Sequence, residues 1–311
     1  MELLRALGVL VEPPTKEHVR IATVLGLPGS PEPSAYHDLF LLQIYPFASV
    51  YLGAEGMMGG EAGDRVAGFW RALHMTPPSE PDHLCALLAL YVSLAEREAA
   101  EEDEASRLLL GRARDTLMHE HVASWVFPFL SKVRELGGAF YGAWSTMLEK
   151  AILAELGSNS RPRSLPVHLR EAPGVPDPRT DGGEAFLHGL LAPARSGVIV
   201  TRGDLAGVAR RSGLGLRMGE RAYILKALFS QGAAEVLEWF VETAEDWAGR
   251  HARQGVDLGE VSAFWERRAR STANLAAALL EDRSGWDTSP ADTATPAGAS
   301  ASGVQERSGK S

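Results

Sequence analysis

The stretch SEPDHLCALLALYVSL, residues 79–94, combines a helix start with a long apolar helix face. Its apolar residues recur at intervals of three and four, the period of one buried stripe on an α-helix; they are Leu84, Leu87, Leu88, Tyr91 and Leu94. Ser79, Pro81 and Asp82 have the order of a capping box, with Ser as the N-cap, Pro in the first turn and an acid three residues on. The stretch therefore predicts a buried helix whose N-cap is Ser79.

A second stripe with the helical period lies upstream and consists of Val66, Phe69, Trp70 and Leu73. Before it, Ser34 is a good N-cap residue for the apolar run 35–45. Pro46 must bend or restart that helix, because its ring nitrogen has no hydrogen to donate. The chain before residue 79 is therefore predicted to be helical as well.

Three more helices are predicted downstream, over residues 106–119, 120–135 and 139–156. The acidic run 96–104 before them is typical of a solvated connection between helices. We expect a kink at Pro128 and a break at the pair Gly137-Gly138. Residues 1–156 are predicted to form one helical domain.

The helical period disappears between residues 157 and 183, where five prolines stand among Gly, Ser and charged residues. This composition is typical of a semi-extended linker, so a domain boundary is predicted there. Helical patterns resume in residues 184–283, a smaller second domain in which only 196–201 has the pattern of a short strand. Residues 284–311 contain a single aromatic residue and are predicted to be disordered. The predicted fold class is all-α.

The composition excludes several classes of protein. With 311 residues, 45% of them hydrophobic, the chain has the length of about two globular domains. Its net charge of −9 argues against general affinity for nucleic acid or anionic membranes and suits a cationic partner. The single cysteine, Cys85, excludes an internal disulfide. The N-terminal apolar stretch resembles neither a membrane span nor a secretory signal, so we expect a cytoplasmic protein without membrane insertion.

No catalytic motif is present: the chain has no G-x-S-x-G, no Walker loop and no H-E-x-x-H. The nearest metal motif is His119-Glu120-His121. On a helix, side chains two positions apart point roughly 200° apart, so these histidines do not share an ion. We therefore predict that the protein is not an enzyme, and a metal-dependent hydrolase using His83, His119 and His121 ranks last among the alternatives.

Two clusters of residues are candidates for one binding groove. Glu80, Asp82 and His83 stand at a helix start, and His121 and Trp125 are one turn apart on a later helix. Each cluster also has a purely structural explanation, as an N-cap and as a core Trp with a hydrogen-bonded His. Together they would bring two histidines, two carboxylates and an indole into one groove.

The string SEPDHLCALLALY from residue 79, followed by EHVASWVFPF from residue 120 and by Phe140-Tyr141, closely resembles the TorD/DmsD/NarJ family of redox-enzyme maturation chaperones. The resemblance covers roughly residues 34–156. Many members of that family have one more residue between the proline and the Asp-His pair.

This resemblance implies an all-helical cytoplasmic chaperone without a tightly bound cofactor. Its partner would be the catalytic subunit of a molybdopterin oxidoreductase, held during cofactor insertion, often through a twin-arginine leader peptide. The resemblance also assigns Asp82 and His83 to leader binding, with Glu80, His121 and Trp125 beside them.

A basic stretch stands out in the second domain. Residues 195–226 contain seven basic and two acidic residues, a local charge of +5. We expect Arg210, Arg211 and Arg217 to contact an anionic face of the client or, transiently, the phosphates of the molybdopterin nucleotide; solvated helix faces explain these arginines equally well. Residues 201–226 also have the pattern of a helix, a glycine turn and a second helix, and the first helix starts with a capping box at Thr201. A helix-turn-helix DNA-binding regulator is therefore the first alternative, although no DNA binding is expected.

Overall fold

The computed structural model describes residues 1–53, 56–158 and 164–282. These residues contain many helices and no strand, and their only β-type pairing is an isolated antiparallel bridge between Phe47 and His83. The predicted all-α fold is confirmed. The predicted disorder of residues 284–311 lies outside the described residues, as do residues 159–163 of the predicted linker.

The N-terminal half consists of helices joined by short connections: α1 (Glu2–Val9), α2 (Lys16–Val24), α3 (Pro33–Tyr36), α4 (Ala48–Leu52), α5 (Gly60–Ala72), α6 (Leu84–Ala100), α7 (Glu104–Thr116), α8 (Val126–Leu136) and α9 (Gly138–Ser158). Two segments with the wider π-helical hydrogen-bond pattern continue α3 and α7 and comprise His37–Leu41 and Leu117–Ala123.

Helix α6 begins later than its sequence suggested. Its N-cap is His83, whose ring accepts the backbone N–H of Cys85; the predicted capping box at Ser79 is therefore wrong. The reason is a contact with a distant segment. Backbone hydrogen bonds from Ala48 N–H to the Asp82 carbonyl and from Leu84 N–H to the Pro46 carbonyl hold this segment, and His83 keeps an extended backbone outside the helix.

The predicted kink at Pro128 is also wrong, because the break lies earlier. The π-helical segment ends at Ala123, Trp125 leaves helical geometry, and α8 begins at Val126. Pro128 lies in the first turn of α8, where a backbone N–H would have no partner within the helix. The break at Gly137-Gly138 is confirmed, since α9 begins at Gly138 with a positive φ of 59°.

The C-terminal half is helical as well, with α10 (Val167–Glu171), α11 (Pro178–Asp181), α12 (Gly183–Leu191), α13 (Pro193–Ser196), α14 (Arg202–Arg211), α15 (Arg221–Phe229), α16 (Ala233–Arg253), α17 (Gly255–Leu258) and α18 (Glu260–Glu281). Two short helices, α10 and α11, lie within the predicted linker. The segment 196–201 forms no strand. The capping box at Thr201 is confirmed, because its hydroxyl accepts Asp204 N–H and the Asp204 carboxylate accepts Thr201 N–H.

The two halves share a hydrophobic core that extends from Leu4 to Leu279. The buried indole of Trp265 donates to the Ser124 carbonyl at 3.0 Å, and the buried ammonium of Lys132 contacts Asp204 at 2.9 Å. The domain boundary between the halves stays a prediction. No helix in the described ranges has both the length and the apolar character that crossing a bilayer requires.

Candidate functional site

Asp82 joins the start of α4 to the start of α6. It is buried, and its Oδ2 accepts the backbone N–H of Ser49 at 2.9 Å, in the first turn of α4. A carboxylate in that position satisfies a helix N–H that has no partner within the helix and interacts favourably with the positive end of the helix dipole. Asp82 therefore caps a helix that precedes it in the chain, not the helix that follows it.

His83 is held beside Asp82 by three neighbours. Its Nδ1 accepts the Cys85 N–H and lies 3.1 Å from Glu12 Oε1, and its ring packs edge-on against Phe47 with centroids 4.8 Å apart. Burial lowers the pKa of His83, while the carboxylates of Glu12, Glu80 and Asp82 oppose that shift. Glu12 was missed by sequence reasoning, because it comes from the loop after α1 and belongs to no local motif.

Cys85, two residues further on, is not a nucleophile in this environment. Burial and the neighbouring Glu12 carboxylate raise the pKa of its thiol to about 12. The thiolate is the reactive form of cysteine, so the protonated thiol is inert at neutral pH. The thiol of Cys85 therefore does not make the cluster around His83 a nucleophilic site.

His121 and Trp125 lie behind this junction in the core. Trp125 is fully buried, and its ring stacks on Tyr51 of α4 at a centroid distance of 5.1 Å. Its indole N–H donates to the His121 carbonyl at 2.8 Å. The predicted residues are thus connected through α4, which Asp82 caps and against which Trp125 packs. They do not all line one groove.

The side chain of His121 faces His168 of α10, with ring centroids 6.1 Å apart. Burial lowers the pKa of His121 to about 4, and its Nδ1 atom has no hydrogen-bond partner among the residues that the structure describes. The neighbouring residues of the π-helical segment hold the chain after residue 163: His119 Nε2 lies 3.0 Å from the Ser164 carbonyl, and Glu120 Oε2 accepts Val167 N–H. His119 and Glu120 of the His119-Glu120-His121 motif therefore hold the chain before α10.

Glu80 and Asp82 line an acidic groove of about 560 Å³ between α5 and the chain before α6. Asp64 and Arg71 of α5 complete its charged lining, so three carboxylates face one guanidinium. Both Glu80 and Asp64 are exposed, and neither forms an ion pair with another described residue. The indole of Trp70 donates to the Pro81 carbonyl at 3.4 Å and connects the two walls. The charge of this groove suits a cationic segment.

A second cavity of about 340 Å³ lies next to the acidic groove and shares Met58, Gly59 and Gly60 with it. Its far wall comes from α10 and from residues 172–173 and 194–195. Within it, Arg65 pairs with Glu61 at 2.7 Å and with Glu171 at 2.6 Å. Sequence reasoning missed this cavity because its walls come from segments that are far apart in the chain.

The basic stretch of the second half is only partly available for binding. Arg195 donates to the Gly174 carbonyl, Arg221 donates to the Val200 carbonyl, and Lys226 pairs with Glu184. The three arginines selected from the sequence, Arg210, Arg211 and Arg217, are exposed.

The start of α14 offers few free donors for a phosphate. Gly203 N–H already donates to the Gln43 side chain, and Asp204 N–H donates to the Thr201 hydroxyl. Residues 212–220 separate α14 from α15, whereas a helix-turn-helix has a turn of about three to four residues. The helix-turn-helix alternative is therefore not favoured.

The metal-dependent alternative is not favoured either. Within residues 1–53, 56–158 and 164–282, no group of three or more His, Cys, Asp or Glu side chains is placed to hold a metal ion. His83 Nδ1 accepts the Cys85 N–H and lies beside Glu12, and His119 Nε2 lies 3.0 Å from the Ser164 carbonyl.

Residues 33–131 match the family model described as the nitrate reductase delta subunit. The matched range contains Glu80, Asp82, His83, His121 and Trp125, and it confirms the resemblance to TorD/NarJ-type chaperones. Comparisons with curated proteins and with solved structures gave no match.

The cap that Asp82 provides for α4 can be tested by unfolding. We expect Asp82→Ala to lower the free energy of unfolding by about 2 kcal/mol, since Ser49 N–H loses its buried acceptor. Asp82→Asn keeps an acceptor oxygen and should cost less. Asp64→Ala, a control in the same groove, should change little. Equal urea midpoints for Asp82→Ala and the control would refute the cap.

The buried His121 predicts that acid destabilises the protein. Its pKa is about 4 in the folded state and near 6.5 when unfolded, so the unfolded state binds more protons between these pH values. Stability should therefore fall as pH drops from about 6.5 to about 4, by about 3 kcal/mol for this group. In His121→Gln the difference between the unfolding free energies at pH 7 and pH 4 should be smaller by that amount. An unchanged difference would contradict the assignment.

Proposed function

From the match of residues 33–131 to the nitrate reductase delta subunit family, we propose that this chain is a cytoplasmic, non-catalytic chaperone. Members of that family are redox-enzyme maturation chaperones. The client of this chain is the catalytic subunit of a molybdopterin-dependent oxidoreductase. It binds the twin-arginine leader of that subunit and holds the subunit while the cofactor is inserted. The observation that supports this proposal most directly is the acidic groove lined by Glu80 and Asp82, which lies within the matched range.

The groove has the chemistry that two arginines require. A guanidinium pairs with a carboxylate through two parallel hydrogen bonds, and the exposed carboxylates of Asp64 and Glu80 are free to form such pairs. Pairs at the rim of a groove contribute only about 0.2–1 kcal/mol each. The charges therefore act mainly on the rate of association and on the choice between cationic and neutral segments.

The other predicted residues support the groove, and of these only Asp82 also lines it. Asp82 fixes α4 through Ser49, and the His83 ring contacts Glu12 and Phe47 next to the start of α6. Trp125 is fully buried under α4, so it contributes to positioning and not to contact. In this proposal Asp64 and Glu80 contact the leader, while Asp82, His83, His121 and Trp125 are positioning residues.

The arginines on the second half give the proposal a second contact. Arg210, Arg211 and Arg217 are exposed on a protein whose net charge is −9. An isolated basic surface on an acidic protein attracts a specific anion while the surrounding field repels nonspecific polyanions. We infer that these arginines touch an anionic face of the client or, transiently, the phosphates of the molybdopterin nucleotide.

Leader binding is tested by removing the two exposed carboxylates of the groove. We expect the double variant Asp64→Asn, Glu80→Gln to bind a fluorescent peptide, which has an Arg-Arg pair before an apolar stretch, about tenfold more weakly at low salt. Added salt should shrink the difference. The control Glu102→Gln, Glu104→Gln removes the same charge from an exposed, remote segment. Equal anisotropy titrations of the two double variants would refute a contact in this groove.

The basic surface is tested by neutralising Arg210, Arg211 and Arg217 to Gln together. We expect a several-fold loss of client activation that shrinks as salt rises, because exposed charges are screened beyond about 10 Å at 0.1 M salt. The leader-peptide affinity should stay unchanged, since these arginines do not line the acidic groove. Full client activation by the triple variant at both salt concentrations would exclude the basic surface.

A further inference from the structure

Two methionines stand exposed at the boundary between the acidic groove and the second cavity. Met57 is 60% exposed and Met58 is 57% exposed, and they are neighbours in the chain. Gly56, Gly59 and Gly60 flank them with positive φ angles. Adjacent large apolar side chains beside two cavities mark a surface that is suited to an apolar ligand.

The backbone of this segment is fixed although its side chains are exposed. Arg221 donates to the Gly56 carbonyl at 3.1 Å, and Gly59 N–H donates to the Ser49 hydroxyl at 2.9 Å. A Cβ at Gly56 would lie 2.7 Å from the Leu191 carbonyl oxygen, so only glycine permits this close packing. The two methionine side chains are therefore presented from an anchored backbone.

The two cavities differ in charge. The acidic groove has three carboxylates and one guanidinium, whereas the second cavity has two of each, with Arg65 paired to Glu61 and Glu171. Apart from His168, the remaining side chains of the second cavity are apolar; they are Leu52, Met57, Met58, Ala62, Ala172, Pro173 and Ala194. Both cavities share Met58, so the cavity on one side of Met58 is acidic and the cavity on its other side is neutral and largely apolar.

We propose that the two cavities bind one continuous peptide, with its cationic end in the acidic groove and its apolar end against Met57 and Met58 in the second cavity. This inference rests on the proposed function and adds the direction of the bound segment and the residues that contact its apolar part. A segment with a cationic end followed by an apolar stretch matches the change in charge across Met58. The reverse direction would place an apolar stretch beside Asp64 and Glu80.

Methionine suits this contact because its unbranched thioether side chain adapts to different apolar shapes. Flexible methionine surfaces bind partners that share apolar character but not sequence. Met57 and Met58 therefore select a segment for its hydrophobicity, while the carboxylates select it for its positive charge. Met218, 89% exposed beside Arg217, is the matched control, because its basic neighbour disfavours a cationic segment.

The first test uses the methyl signals of the seven methionines in the full chain, labelled with carbon-13 and assigned by single substitutions. We expect the signals of Met57 and Met58, but not that of Met218, to shift when the peptide with an Arg-Arg pair and an apolar stretch is added. A peptide whose apolar stretch is replaced by Ser and Gly should leave them in place. The double variant Met57→Ser, Met58→Ser should bind the first peptide about tenfold more weakly than Met218→Ser does.

The direction of binding is tested with a nitroxide label on either end of the same peptide. A label at the apolar end should broaden the Met57 and Met58 signals more than a label at the cationic end, and the opposite order would overturn the assigned direction. Peptide binding that depends on Asp64 and Glu80 but leaves both methionine signals and the Met-to-Ser affinity unchanged would overturn this inference and leave the proposed function standing. Absence of any peptide binding would refute the proposed leader binding and this inference with it.

Discussion

The buried carboxylate of Asp82 is the constraint on which the candidate site depends. A buried carboxylate must be hydrogen-bonded, and Asp82 meets this requirement by accepting the Ser49 N–H at the start of α4. That bond and the flanking backbone bonds orient α4, so that its Tyr51 stacks on Trp125 and its Ser49 hydroxyl accepts Gly59 N–H. The core under the groove and the loop that presents Met58 are both positioned by this one junction.

The elements that sequence reasoning predicted correctly are those whose signal is local. The stripe from Leu84 to Leu94 and the capping box at Thr201 need only neighbours three or four residues away. The error at Ser79 arose where a distant segment decides the outcome, and the error at Pro128 arose at the end of a neighbouring helix of unusual geometry. Pairing with residues 46–48 delays the start of α6, and the π-helical segment moves the break before α8 to Trp125.

The residues of the candidate site also divide into those with a local signal in the sequence and those that come from distant segments. Glu80 and Asp82 are close in the sequence, and both line the acidic groove. Asp64, Arg71 and Met58 come from another segment, and no spacing in the chain indicates that they join the same surface. The burial of Trp125 was likewise hidden, because the pattern that places His121 and Trp125 on one helix face is the same for a core helix and for a groove.

The contact between Arg221 and the Gly56 carbonyl makes the two halves of the chain energetically interdependent. Arg221 belongs to the second half, and burial lowers the pKa of its guanidinium. It donates to the Val200 carbonyl and to the Gly56 carbonyl in the loop that carries Met57 and Met58. Coupling between two sites is reciprocal by thermodynamic linkage. A ligand that favours the anchored form of the loop therefore also stabilises the contact between Arg221 and the loop. The contact favours binding of the ligand by the same free energy. Occupancy of the groove and the contact between Arg221 and Gly56 are in this way linked.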